Sequence, residues 1–181
     1  CIRDSCLPAV EKDDVGLSDG EPKMNLQLLQ EVTAFIWAEG DMLDHNEYDT
    51  WLALWADKGT YIIPIDPKEE DFENTLNYAY DDAHMRQLRV QRLIGGESIS
   101  TSPQPRTVRT AANFRVLSED GDKVRVRCSQ HLRDFRKDSL KHYSADLTYD
   151  LVRSGDSFQI QRKLIRLINS DDTLAGIGYI L

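Results

Sequence analysis

Beyond Pro105 the apolar residues of this chain recur at every second position, whereas before it they recur at every third or fourth. No other feature restricts the fold as sharply, because a period of two belongs to strands with one buried face and a period near 3.6 to helices with one buried stripe. The chain therefore reads as helices first and a sheet afterwards, an α+β arrangement.

Turn residues divide the second part into four strands over 107–117, 124–135, 141–153 and 158–168. Asp120-Gly121, Lys137-Asp138-Ser139 and Ser154-Gly155-Asp156 supply the connections. The third strand alternates most clearly: Tyr143, Ala145, Leu147, Tyr149 and Leu151 stand against Ser144, Asp146, Thr148 and Asp150. Links this short imply an antiparallel meander. The last strand departs from the pattern, since Leu164, Ile165, Leu167 and Ile168 place apolar groups on both faces. All the expected helices come earlier and must cover the opposite face, so the second face is expected to meet another chain. Leu164, Leu167 and Ile168 are accordingly candidate subunit contacts.

Ahead of the sheet, Leu28, Leu29, Val32, Phe35, Ile36, Glu39 and Leu43 mark a helix ending near Leu43, with Asn25 placed to cap it. A second helix carries Tyr48, Trp51, Leu52, Leu54 and Trp55, with Gly59 as its stop and the two tryptophans as core anchors. Residues 60–63 form a first strand closed by Pro64, and a polar loop follows. Asp81 or Asp82 then caps a third helix bearing Met85, Leu88 and Leu93, which Gly95-Gly96 ends. Arg86, Arg89 and Arg92 give it a basic exposed face, either a solvated surface or an anion site. Residues 1–24 read as an acidic terminal arm and 25–181 as one domain. A chain of this length removes roughly 70% of its unfolded surface from water, so its stability calls for no disulfide or structural metal.

The 22 Lys and Arg against 31 Asp and Glu give a net charge of -9, which repels phosphate backbones and argues against nucleic acid as a partner. Acidic residues crowd the first quarter (Glu11, Asp13, Asp14, Asp19, Glu21), whereas the basic ones concentrate between Arg86 and Arg166. That asymmetry suits docking to another protein. Cys1, Cys6 and Cys128 match no zinc or haem spacing, which fits a reducing cytoplasm. No run approaches the ~18 apolar residues of a membrane span, and the N-terminus lacks the order of a secretory signal. No membrane association is expected.

An iron site of the facial type needs two histidines and a carboxylate converging on one side of the metal. His45, His84, His131 and His142 lie singly. A Rieske cluster needs two Cys and two His in close pairs, and only Cys128 and His131 are near neighbours of that kind. Three positions apart on a strand, they point to opposite faces. There is no Gly-x-Ser-x-Gly elbow and no phosphate-cradling loop. Neither a metal nor another cofactor is expected in this chain.

Phe35, Glu39, Leu43-Asp44, Tyr48, Trp51-Leu52, Leu54, Asp57, Tyr61 and Pro64 resemble the opening signature of the small subunits of aromatic-ring-hydroxylating dioxygenases. Further on, Leu88-Arg89-Val90 with Arg92-Leu93, then Pro105-Arg106-Thr107, Arg109, Asn113 and Val116, are similar to that family's basic helix and the start of the strand after it. Pro105 stands where the family carries Ser, and Val108 separates Thr107 from Arg109. The resemblance implies a cystatin-like or NTF2-like cone that trimerises and joins three large (alpha) subunits in a hexamer. It further implies that the large subunit carries the Rieske 2Fe-2S cluster and mononuclear iron, that a reductase supplies electrons from NADH or NADPH, and that the small subunit stabilises the assembly. Arg106, Arg109 and Asn113 are then candidate subunit contacts, and the two-faced last strand a trimer seam.

Two other readings remain open on the same fold. One is a stand-alone dehydratase, isomerase or epoxide hydrolase using Tyr61, His84, Tyr143, Asp146 and Arg109 in a cavity between helix and sheet. The other is a non-catalytic binding module with a groove or flat apolar patch.

Overall fold

The computed structural model describes residues 25–95, 105–170 and 180–181. They run α1 (Leu26–Asp44), α2 (Tyr48–Ala53), β1 (Trp55–Pro64), β2 (Asn77–Asp81), α3 (Ala83–Gly95), β3 (Arg106–Asp120), β4 (Lys123–Arg136), β5 (Ser139–Ser154) and β6 (Ser157–Leu167). The acidic arm over 1–24, its Cys1 and Cys6, and Gly96 lie outside the described residues. No helix among the described residues is long and apolar enough to cross a membrane.

The helix-then-sheet expectation holds. Asn25 caps α1 by accepting the Leu28 N–H at 3.1 Å, and the stripe Leu28, Val32, Phe35, Ile36, Glu39 and Leu43 is buried. β3 to β6 form an antiparallel meander, and β1 joins its far side parallel to β6, giving the order β2-β1-β6-β5-β4-β3. Inner-face residues such as Val126, Leu147, Tyr149 and Ile165 pack against α1 and α2 as one core with Trp51 and Trp55.

Four local expectations are corrected. Gly59 does not stop a helix but lies within β1, where an added Cβ would sit 2.6 Å from the Ile160 carbonyl oxygen. The closeness of β6 demands glycine there. The polar loop after Pro64 contains the edge strand β2, whose buried Ala79 and Asp81 alternate with exposed Tyr78 and Tyr80 against β1. Its five residues are too few and too polar to stand out by period.

On α3 it is Asp82 that caps, accepting the Met85 N–H at 2.8 Å. The helix does not show three arginines to water. Arg86 is buried over the Trp55 ring at 4.0 Å and donates to the Asp81 carbonyl at 3.2 Å, while Arg89 holds the Asp81 carboxylate at 2.6 and 3.0 Å. Arg92 alone of the three stays exposed.

β6 is the fourth correction. Leu151 pairs with Ile160 and Asp150 with Arg162, so Gln161 is an extra residue and the alternation slips by one. Phe158 and Ile160 face inward before the bulge, and Lys163, Ile165 and Leu167 do so after it. Leu164 then points outward, where Ile62 and Phe72 cover it. Leu164 is 3% exposed and Leu167 1%, so this chain alone buries the residues that were expected to need another chain. Ile168, just past the strand, is 73% exposed and remains available as a contact.

Candidate functional site

The polar groups inside the cone come from elements far apart in sequence. Glu39, 1% exposed on the apolar stripe of α1, faces Lys163, 0% exposed on β6 beyond the bulge. The Lys163 ammonium lies 2.8 and 3.0 Å from the two Glu39 oxygens. The Trp51 indole donates to one of these oxygens at 2.8 Å and the Tyr149 hydroxyl to the other at 3.1 Å. A third Lys163 bond goes to the Leu181 carbonyl at 3.0 Å, and the Leu181 N–H donates to the Tyr61 hydroxyl at 2.9 Å. A buried ion pair is tolerable only when its remaining donors and acceptors are met, and here they are.

Burial governs the proton affinities. It pushes the Tyr61 and Tyr149 phenols up, Tyr149 further because Glu39 sits beside it, and lifts the Cys128 thiol to about 12. It also pushes the Lys163 ammonium down, against the opposing pull of Glu39. No group of three or more His, Cys, Asp or Glu among the described residues is arranged to hold a metal ion. Cys128 is buried in the core, whereas His131 faces outward with Nδ1 2.9 Å from the Ser144 hydroxyl, so this donor set does not fit iron or a cluster.

At the mouth of the cone, Asp44 at the end of α1 accepts from the Thr107 hydroxyl at 2.8 Å, from the Arg109 N–H at 2.7 Å and from the Arg109 guanidinium. That guanidinium also donates to the Ile180 carbonyl. Helix, edge strand and tail are thereby tied together. The space left between Tyr48, Leu93, Arg109 and Ile180 is about 10 Å³, room for roughly one water. Larger hollows of about 340 and 350 Å³ lie on the outer face of the sheet, both bordered by Arg125, Asp150 and Gln161.

The residues singled out from sequence are scattered over this frame. Arg106 is exposed, its guanidinium 5.0 Å from the Phe135 ring centre. Asn113 is exposed at a register shift in β3 with φ 56, a conformation asparagine tolerates, and donates to the Ser129 hydroxyl at 3.0 Å. Arg109 is committed to Asp44, its side chain only 5% exposed, and so offers little to a neighbour. Tyr61 and Tyr143 are buried, whereas His84 is exposed at the start of α3 and Asp146 on the outer face. The four do not converge. Sequence reasoning placed Glu39 on the stripe but missed Lys163, Tyr149 and Trp51 as its partners. The available signal was a carboxylate, Glu39, on the otherwise apolar stripe of α1.

A family model described as "Ring hydroxylating beta subunit" matches residues 38–171. The small subunit of 2-halobenzoate 1,2-dioxygenase from Burkholderia cepacia is 28% identical over 144 residues, covering 77% of this chain and 87% of that protein. Among solved structures, the beta subunit of benzoate 1,2-dioxygenase from Burkholderia mallei is 29% identical with a TM-score of 0.69, covering 84% of this chain and 97% of that one. An NTF2-like protein with a cystatin-like fold from Novosphingobium aromaticivorans aligns over 80% of this chain and 86% of its own at a TM-score of 0.56 and 14% identity, a likeness of fold alone.

Proposed function

This chain belongs to the ring hydroxylating beta subunit family, whose model spans most of it, and we propose that it is the non-catalytic scaffold for a separate, iron-bearing large subunit. It is thus the small subunit of an aromatic-ring-hydroxylating dioxygenase, a component of an oxidoreductase, built on the NTF2-like cone. The observation that carries the scaffold reading is the bonded cluster inside the cone. Lys163, Trp51 and Tyr149 all bond to the Glu39 carboxylate, and Lys163 also holds the Leu181 carbonyl, so these polar groups are committed to one another's support rather than to a ligand.

In this reading the Rieske 2Fe-2S cluster, the mononuclear iron and the substrate pocket belong to the large subunit, and electrons come from NADH or NADPH. This chain supplies a rigid platform instead: the Asp44–Arg109–Ile180 tie fixes the end of α1 to β3, and the buried ion pair fixes α1 to β6. The small subunits form a trimer within a hexamer in the cytoplasm. The two relatives described above are named for 2-halobenzoate and benzoate and others for anthranilate, p-cumate and toluate, against two named for benzene, which supports an aromatic carboxylic acid as the substrate class of the assembly. The stand-alone cavity enzyme is not favoured, because its polar set does not converge: Tyr61 and Tyr143 are buried, whereas His84 and Asp146 are exposed.

Co-expression with a large-subunit gene, followed by size-exclusion chromatography and iron analysis, tests the proposal. A co-eluting complex with iron confined to the larger chain is expected. Recovery of this chain with no iron protein attached, or of this chain alone with stoichiometric iron or unaided turnover, overturns it.

A further inference from the structure

We propose that copies of this chain meet through the outer face of the sheet, the arginines of β3 and β4 on one copy taking the carboxylates of the β1–β2 loop on the next. The proposal rests on the self-association reading above and names its surface. α1 and α2 pack on the inner face, and no described helix covers the outer one.

The outer residues of β3 and β4 include Arg106, Arg115, Lys123, Arg125, Arg127 and Arg133, all exposed, in a chain whose net charge is -9. Arg125 is balanced within the chain, for Asp150 accepts from it at 2.6 Å and pairs with Arg162 at 2.8 Å. Its neighbours are not. Arg115 and Arg127 stand directly opposite each other across β3 and β4, and Thr148 is the residue on the far side of Arg127. Arg133 lies between Val108 and His142. Among the described residues no carboxylate pairs with Arg115, Arg127 or Arg133. Like charges facing each other across a ladder destabilise it unless an anion lies over them.

The complementary surface is on the same chain. Asp66, Glu69, Glu70, Asp71 and Glu73 crowd the loop between β1 and β2, with Lys68 the one cation among them. The loop folds over the outer side of β6, where Arg166 holds the Pro67 and Glu69 carbonyls at 2.9 Å each and Glu70 at 2.8 Å. It therefore presents its acids at one border of the sheet while the unmatched arginines occupy the other. Two chains of net negative charge repel at long range, so their association needs local patches of opposite sign, and this pair of patches supplies them. A contact between different patches closes into a ring when successive copies satisfy it in turn.

Light scattering on the isolated full chain at low and high salt tests the proposal. At low salt an oligomer is expected that dissociates as salt rises. R115E/R127E should run as the protomer with an undiminished melting temperature, since both side chains are exposed. E70K/E73K should also run as the protomer, and the chain carrying all four changes should recover the oligomer. A wild-type protomer at low salt, an R115E/R127E oligomer of unchanged mass, or no recovery in the fourfold variant overturns the inference. So does loss of large-subunit capture with self-association intact, which would assign the arginines to the other partner. Capture of the iron protein by the wild-type chain is scored separately, so failure of the scaffold reading is told apart from failure of this surface.

Discussion

Glu39 and Lys163 carry opposite charges at positions whose neighbours on the same stripe are apolar, and each is intelligible only through the other. Lys163→Met leaves the Glu39 carboxylate buried with only the Trp51 and Tyr149 donors, and urea unfolding should show a loss of about 3–5 kcal/mol. Glu39→Leu combined with Lys163→Met should lie closer to wild type than either single change, because an apolar pair needs no desolvation of charge. A pH dependence follows from the same interior. Burial holds the Cys128 thiol and the Tyr61 and Tyr149 phenols protonated, while in the unfolded chain they ionise near 9.0 and 10.0. The unfolded state then binds fewer protons, so stability falls as pH rises above about 9. Lys163, depressed below its ordinary 10.5, works in the opposite sense up to that value. Between about pH 9 and 10 the thiol and Lys163 oppose each other; above about pH 10 the two phenols join the thiol, and the urea midpoint should drop there, so a flat midpoint above pH 10 would contradict the burial argument. Of this cluster, Glu39 was visible in the sequence as a member of the stripe, Trp51 as a core anchor and Tyr149 on the apolar side of its alternating strand, but not their meeting. Lys163 was hidden because its inward direction depends on a bulge that spacing alone does not reveal.

At the scale of elements, periodicity disclosed α1 and the four-strand meander nearly to their ends, because each buries one face against a single layer. It failed where a neighbouring element, rather than local pattern, decides the outcome. Gly59 looked like a helix stop, yet its lack of a side chain serves the approach of β1 to β6. Gly59→Ala should cost about 1–3 kcal/mol in thermal or urea unfolding, since its Cβ would press on backbone that cannot give way. The apolar run Leu164, Ile165, Leu167, Ile168 looked like a strand buried on two sides, but the slip at Gln161 returns Ile165 and Leu167 to the core and Phe72 caps Leu164. A paired substitution separates the two accounts. Leu167→Asp should lower folding stability by more than about 3 kcal/mol, because the carboxylate would be buried without a partner. Ile168→Asp should stay within about 0.5 kcal/mol of wild type, its side chain being in solvent. Equal losses at both positions would show that Ile168 is buried in solution, as a seam at this strand end requires.

Taken as a whole molecule, the described part of the cone is tied together from inside, where Lys163, Trp51 and Tyr149 meet on Glu39 and Lys163 reaches the Leu181 carbonyl. The resemblance in sequence pointed to the family, and the ligand inventory pointed away from iron, yet neither could say whether the interior was open. That depends on Trp51, Tyr149 and Leu181 meeting at one place from three remote stretches of chain. An interior whose polar groups are committed to one another has a measurable consequence. A ligand that binds only the folded state raises its stability by RT ln(1 + [L]/Kd), about 2.7 kcal/mol at a hundredfold excess over Kd. For a domain of this size that shifts the melting temperature by several degrees. The isolated chain should therefore melt at the same temperature with and without aromatic acids, whereas its complex with the large subunit should be stabilised by them. A shift in the isolated chain that Tyr149→Phe or Lys163→Met abolishes would place a ligand inside the cone, and would restore the cavity enzyme as the better account of this protein.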